Sequence, residues 1–100
     1  MSMVLSKFAE SFVNERLTAD IFADAYMELW KIERDLGLVA QDTGMLSQVN
    51  STIFLMADLY NPESDRDDYE FDEEELRLNV KQELEKLKDE GYFEPIPNSV

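Results

Sequence analysis

Apolar side chains recur every three or four residues in four separate stretches of this chain, and no stretch alternates as a β-strand does. That periodicity predicts an all-α fold. Val4, Leu5, Phe8, Phe12 and Val13 mark one face of a first helix, with Ser2 or Ser6 placed to cap it. Thr18 opens a second helix, with Asp20 and Asp24 near the positive end of its dipole and a stripe of Ile21, Phe22, Ala25, Tyr26, Leu29, Trp30 and Ile32 to bury. Gly37 ends it. A linker through Gln41, Asp42, Thr43 and Gly44 leads to a third pattern of Leu46, Val49, Ile53, Met56 and Tyr60, widened by Phe54 and Leu59. Asn61-Pro62 stops this helix, because proline disfavours helical geometry in the residue before it.

The fourth helix has the clearest start. Asp72 followed by Glu75 is the carboxylate form of a capping box, Glu73 and Glu74 fill the first turn, and Lys81, Lys86 and Lys88 lie toward the negative end. Its stripe is Leu76, Val80, Leu84 and Leu87, and Glu90-Gly91 supplies a stop about 19 residues, or roughly 28 Å, further on. Residues 91–100 form a C-terminal tail that Pro95 and Pro97 keep from continuing the helix, with Tyr92, Phe93 and Ile96 placed to fold back. The 100 residues form one domain, an antiparallel four-helix bundle with an acidic loop between helices 3 and 4.

Composition removes most chemistries. The chain has no histidine and no cysteine, so disulfides, thiolate catalysis and the usual zinc, copper and haem ligands are excluded, and no cofactor is expected. With 23 acidic and 9 basic residues the formal charge is −14, which repels nucleic acid and anionic membrane and favours a basic protein partner. The longest uncharged run, Thr43 to Ala57, is too short and too polar to cross a bilayer, and the N-terminus does not read as a secretory signal. These features predict a cytoplasmic protein. Self-repulsion argues for a monomer that forms a 1:1 complex.

The charge is not spread evenly. Ten acidic residues and one basic, Arg66, lie between Asp58 and Glu75, a net −9, whereas the other 82 residues carry 13 acidic and 8 basic groups, a net −5. A solvated loop is the plainest account of such a run. Two functional readings stand beside it. A twelve-residue calcium frame from Glu63 puts Asp65, Asp67 and Glu74 at its third, fifth and twelfth positions, but Asp68 falls where the turn demands glycine, and Glu70 where an apolar residue packs. Alternatively, if 63–67 is extended, Glu63, Asp65 and Asp67 project on one side about 6.6 Å apart, a ladder suited to successive Lys or Arg groups in a phosphate-binding site. Arg66 is placed to hold the loop through Asp68 or Glu70, and Tyr69 to pack over the helix ends. Capping accounts for Asp72 and Glu75. Trp30 and the methionines read as packing groups.

The stretch Ala57 to Lys86, with Pro62, Asp65-Arg66, Tyr69-Glu70, Asp72, Leu76, Val80 and Leu84-Glu85-Lys86, together with Leu17-Thr18-Ala19 and Phe22, resembles the colicin D immunity protein family. Similarity covers most of residues 5 to 88 and is dense in the second half. The resemblance implies a non-enzymatic four-helix bundle that binds the tRNase domain of a cognate toxin, blocking its basic cleft in place of the tRNA backbone. By position it implies Asp58, Glu63 and Asp65 as inhibitory carboxylates, while Asn61 stands where the family carries a glutamate. The full candidate toxin-binding set is Asp58, Glu63, Asp65, Asp67, Asp68, Tyr69 and Glu70. The alternatives are a calcium-binding helical module and a generic acidic protein-interaction adaptor.

Overall fold

A computed structural model describes residues 3–37 and 44–89. Four helices, α1 (Met3–Val13), α2 (Ala19–Asp35), α3 (Gly44–Asp58) and α4 (Glu73–Asp89), pack in a ring in which each touches its chain neighbours and α1 closes against α4. Three contacts at one end fix the directions. Tyr60, after α3, reaches Asp20 at the start of α2, the amide of Ala19 reaches Glu73 at the start of α4, and the last turn of α1 meets Arg77 through the Phe12 carbonyl. Ends of α1 and α3 therefore meet beginnings of α2 and α4, as an antiparallel bundle requires.

The local signals act as their chemistry dictates. Thr18 caps α2, its hydroxyl accepting from the Ile21 amide at 3.3 Å. Gly37 follows the α2 terminus with φ of 78°, a left-handed conformation that costs glycine little. The Asp72–Glu75 box is closed in both directions: the Glu75 amide donates to Asp72 Oδ1 at 2.8 Å and the Asp72 amide to Glu75 Oε1 at 3.2 Å. The α1 terminus turns through Glu15, at φ 63°, where the sequence offers no glycine.

Leu5, Ala9, Phe12, Phe22, Tyr26, Leu46, Val49, Ile53, Leu76, Val80, Leu84 and Leu87 make the core. Phe12 stacks on Phe22 with ring centroids 4.2 Å apart, and Phe22 meets Tyr26 at 5.3 Å. Two polar contacts cross the interior: Ser6 Oγ donates to Asn50 Oδ1 at 2.9 Å, and the Tyr26 hydroxyl donates to the Asn50 carbonyl at 2.7 Å. Ser6 is thus a core group and not a cap. Along α4, Glu83 joins the buried face, its carboxylate held by Lys86 at 3.0 Å.

The predicted stripe of α2 was too broad. Ile21 and Ile32 are more than half exposed, and Ala19 and Ala23 are buried instead. A helix turns 100° per residue, so with Phe22 and Tyr26 pointing inward, Ile21 is directed along the flank. Ala25, Leu29 and Trp30 are half-buried, Trp30 lying 4.5 Å from the Phe54 ring. Val4 on α1 is likewise exposed. The linker from Gln41 to Thr43, the Glu90-Gly91 stop, the Ser2 cap and the tail that was expected to fold back all lie outside the described residues.

Candidate functional site

The acidic segment leaves α3 through a tightened last turn, with the Leu59 amide donating to both Leu55 and Met56 carbonyls and Tyr60 to Ala57. Its two ends are then joined. The Asn61 amide donates to the Phe71 carbonyl and the Phe71 amide to the Leu59 carbonyl, each at 2.9 Å, forming an isolated parallel bridge between Tyr60 and Phe71. This closes residues 61–71 into a loop anchored by main-chain hydrogen bonds.

Inside that closure the chain makes two turns. The Asn61 side chain accepts from the Glu63 amide at 2.9 Å, and Arg66 returns to the Glu63 carbonyl through its amide at 3.3 Å and through Nη1 at 2.8 Å. A second turn brings the Glu70 amide to the Asp67 carbonyl at 3.0 Å. The expected extended ladder over 63–67 is therefore not formed, because Asn61 and Arg66 draw the backbone into turns and Glu63, Asp65 and Asp67 no longer share one edge of a strand.

Arg66 does hold the loop, but through the Glu63 carbonyl and Asp72, 3.6 Å away, and not through Asp68 or Glu70 as hydrogen-bonded partners. Glu70 is half-buried and acts as a brace, its Oε1 accepting from the Asp67 amide at 2.8 Å and from Asn61 Nδ2 at 3.2 Å. The Asp67 amide, helped by Asn61 and by the Arg66 charge, holds the Glu70 carboxyl below its ordinary pKa.

Asp58, Glu63, Asp65, Asp67 and Asp68 are all exposed. Asp67, Asp68 and Glu70 line a shallow recess of about 300 Å³ with Ser64, Arg66 and Glu75, whereas Asp58, Glu63 and Asp65 lie outside it. Tyr69 does not pack over the helix ends. It is 66% exposed at the second turn, and the neighbouring Asp67 carboxylate raises the phenol's pKa.

The loop rests on residues that the sequence reading gave other duties. The Tyr60 hydroxyl donates to Asp20 Oδ1 at 2.7 Å, and burial, then Asp20, pushes its pKa up to about 12. Glu73 accepts from the Ala19 amide at 3.1 Å and pairs with Arg77 at 3.5 Å, while Arg77 covers the Phe12 ring at 4.6 Å. Of these supports, the Asn61-Pro62-Glu63 turn had a readable signal, since asparagine before proline is a turn starter.

The arrangement presents acceptors for Lys and Arg groups over a fixed backbone. Among the described residues no group of three or more carboxylates could hold a metal ion, and no helix is long and apolar enough to cross a membrane. Compared with known families, the chain matches the family model described as bacterial self-protective colicin-like immunity over residues 1–87. Among curated proteins the comparison finds no match.

Proposed function

The chain belongs to the bacterial self-protective colicin-like immunity family, and from that premise we propose that it neutralises a colicin D-like, tRNA-cleaving toxin by filling its basic active-site cleft. Asp58, Glu63, Asp65, Asp67 and Asp68 make the charged contacts, standing in for tRNA phosphates, with Tyr69 and Glu70 at the same surface. The partner is the toxin's nuclease domain, bound 1:1 by a monomer in the cytoplasm, without catalysis by this chain. The observation behind this reading is the net −9 between Asp58 and Glu75, which runs from the last residue of α3 through the closed loop 61–71 to the first turn of α4. A preformed acidic surface speeds encounter with a basic cleft and makes it sensitive to salt.

The direct test is tRNA cleavage by the nuclease domain of the cognate toxin, with and without this chain. Inhibition at stoichiometric amounts is expected, and Asp58→Ala, Glu63→Ala and Asp65→Ala should each weaken binding by about tenfold and flatten its salt dependence. Undiminished cleavage at a tenfold excess of the chain would sink the reading; equal affinity for the triple variant would move the site elsewhere.

A further inference from the structure

Charge accounts for the carboxylates of the loop but not for Tyr69. Of the described aromatic side chains Tyr69 alone is largely exposed; Phe8, Phe12, Phe22, Tyr26, Trp30, Phe54, Tyr60 and Phe71 are all buried or half-buried. The bundle gains no packing from this ring. The Tyr69 backbone is held in the turn closed by the Glu70 amide on the Asp67 carbonyl, and the ring stands out from that turn. Exposed carboxylates precede it at Asp67 and Asp68, so three consecutive residues offer negative charge and one flat, uncharged ring, while Glu70 behind them is turned in as the brace.

A site built for single-stranded nucleic acid asks for that combination: cations that follow the phosphates, and aromatic or guanidinium planes on which bases stack. We propose that the Tyr69 ring takes the place of a nucleobase, stacking on the base-binding surface of the toxin nuclease while the neighbouring carboxylates occupy its phosphate sites. This rests on the nuclease-inhibitor reading above and adds a second kind of contact to it. A ring stacked against the partner slows dissociation, whereas exposed charges mainly set the association rate.

Stopped-flow binding of the full chain to the cognate toxin's nuclease domain separates these roles. Tyr69→Phe should dissociate within about twofold of the parent rate, and Tyr69→Ala and Tyr69→Leu about ten- to a hundredfold faster, as loss of one stacked base would. Association rate and salt slope should be unchanged in all three, while Asp65→Ala slows association. A free nucleoside at millimolar concentration, having a base and no phosphate, should compete with the parent and with Tyr69→Phe but not with Tyr69→Ala. Leu performing as well as Phe, Phe failing as badly as Ala, unaltered dissociation of Tyr69→Ala, or no competition by nucleoside would each overturn the stacking role. If the unmodified chain does not inhibit tRNA cleavage, the parent reading falls and takes this one with it; if it inhibits and Tyr69→Ala inhibits as tightly, only the stacking role is lost.

Discussion

The hydroxyl of Tyr60 donates to Asp20 Oδ1 at 2.7 Å, tying the exit of α3 to the first turn of α2 across 40 residues of sequence. The bond lies at the base of the acidic loop, beside the main-chain clasp that begins at Asn61. Tyr60→Phe should lose about 1 kcal/mol of stability, measured by urea unfolding at neutral pH. The folded tyrosine has a pKa of about 12 against an ordinary 10.0, so its contribution is complete below pH 10 and is lost as pH rises from there toward 12. The Phe variant should therefore show a shallower alkaline decline than the parent.

Asp72 has two duties, capping α4 through the Glu75 amide and pairing with Arg66. Asp72→Asn keeps an acceptor for the cap and removes the charge, so its unfolding midpoint should stay close to the parent's. Asp72→Ala removes both and should cost about 1 kcal/mol. Equal loss in the two variants would mean that the ion pair, not the cap, is the stabilising contact.

Glu70 braces the loop more strongly as a carboxylate than as a neutral acid. Its pKa lies below the ordinary 4.5, so its contribution is present above that pH and disappears as pH falls through the lower folded value. In a carboxyl NMR titration Glu70 should titrate below that ordinary value. Glu70→Ala should speed hydrogen exchange at the Asp67 amide by about tenfold or more, leaving exchange in the middle of α4 unchanged.

What the sequence disclosed and what it concealed divide by the range of the interaction. Thr18, Gly37 and the Asp72–Glu75 box act on backbone groups within three residues, and each performs in the structure as read. The α4 stripe was legible because Leu76, Val80, Leu84 and Leu87 form a narrow arc. Ile21 and Ile32 were not, since hydrophobicity cannot tell the centre of a face from its flank until a neighbouring helix is in place. The loop's turns and the bridge from Tyr60 to Phe71 were hidden for another reason. Main-chain hydrogen bonds do not depend on side-chain type, and Arg66 had several carboxylates within reach along the chain, so spacing alone could not select Asp72. The concentration of charge was plain from the sequence; the withdrawal of Glu70 into a brace and the outward ring of Tyr69 depend on that fold.

The pair of main-chain bonds joining Leu59, Asn61 and Phe71 has an engineering consequence. Because the clasp is made by main-chain groups outside residues 62–70, that stretch can change without breaking it, giving up only the Arg66–Asp72 and Glu70–Asn61 ties to the frame. A segment of different length or lettering grafted between Asn61 and Phe71 should leave the four helices in place, losing the Arg66–Asp72 pair beside the α4 cap. New recognition could then arise by replacing nine residues at the rim, while the bundle is inherited unchanged.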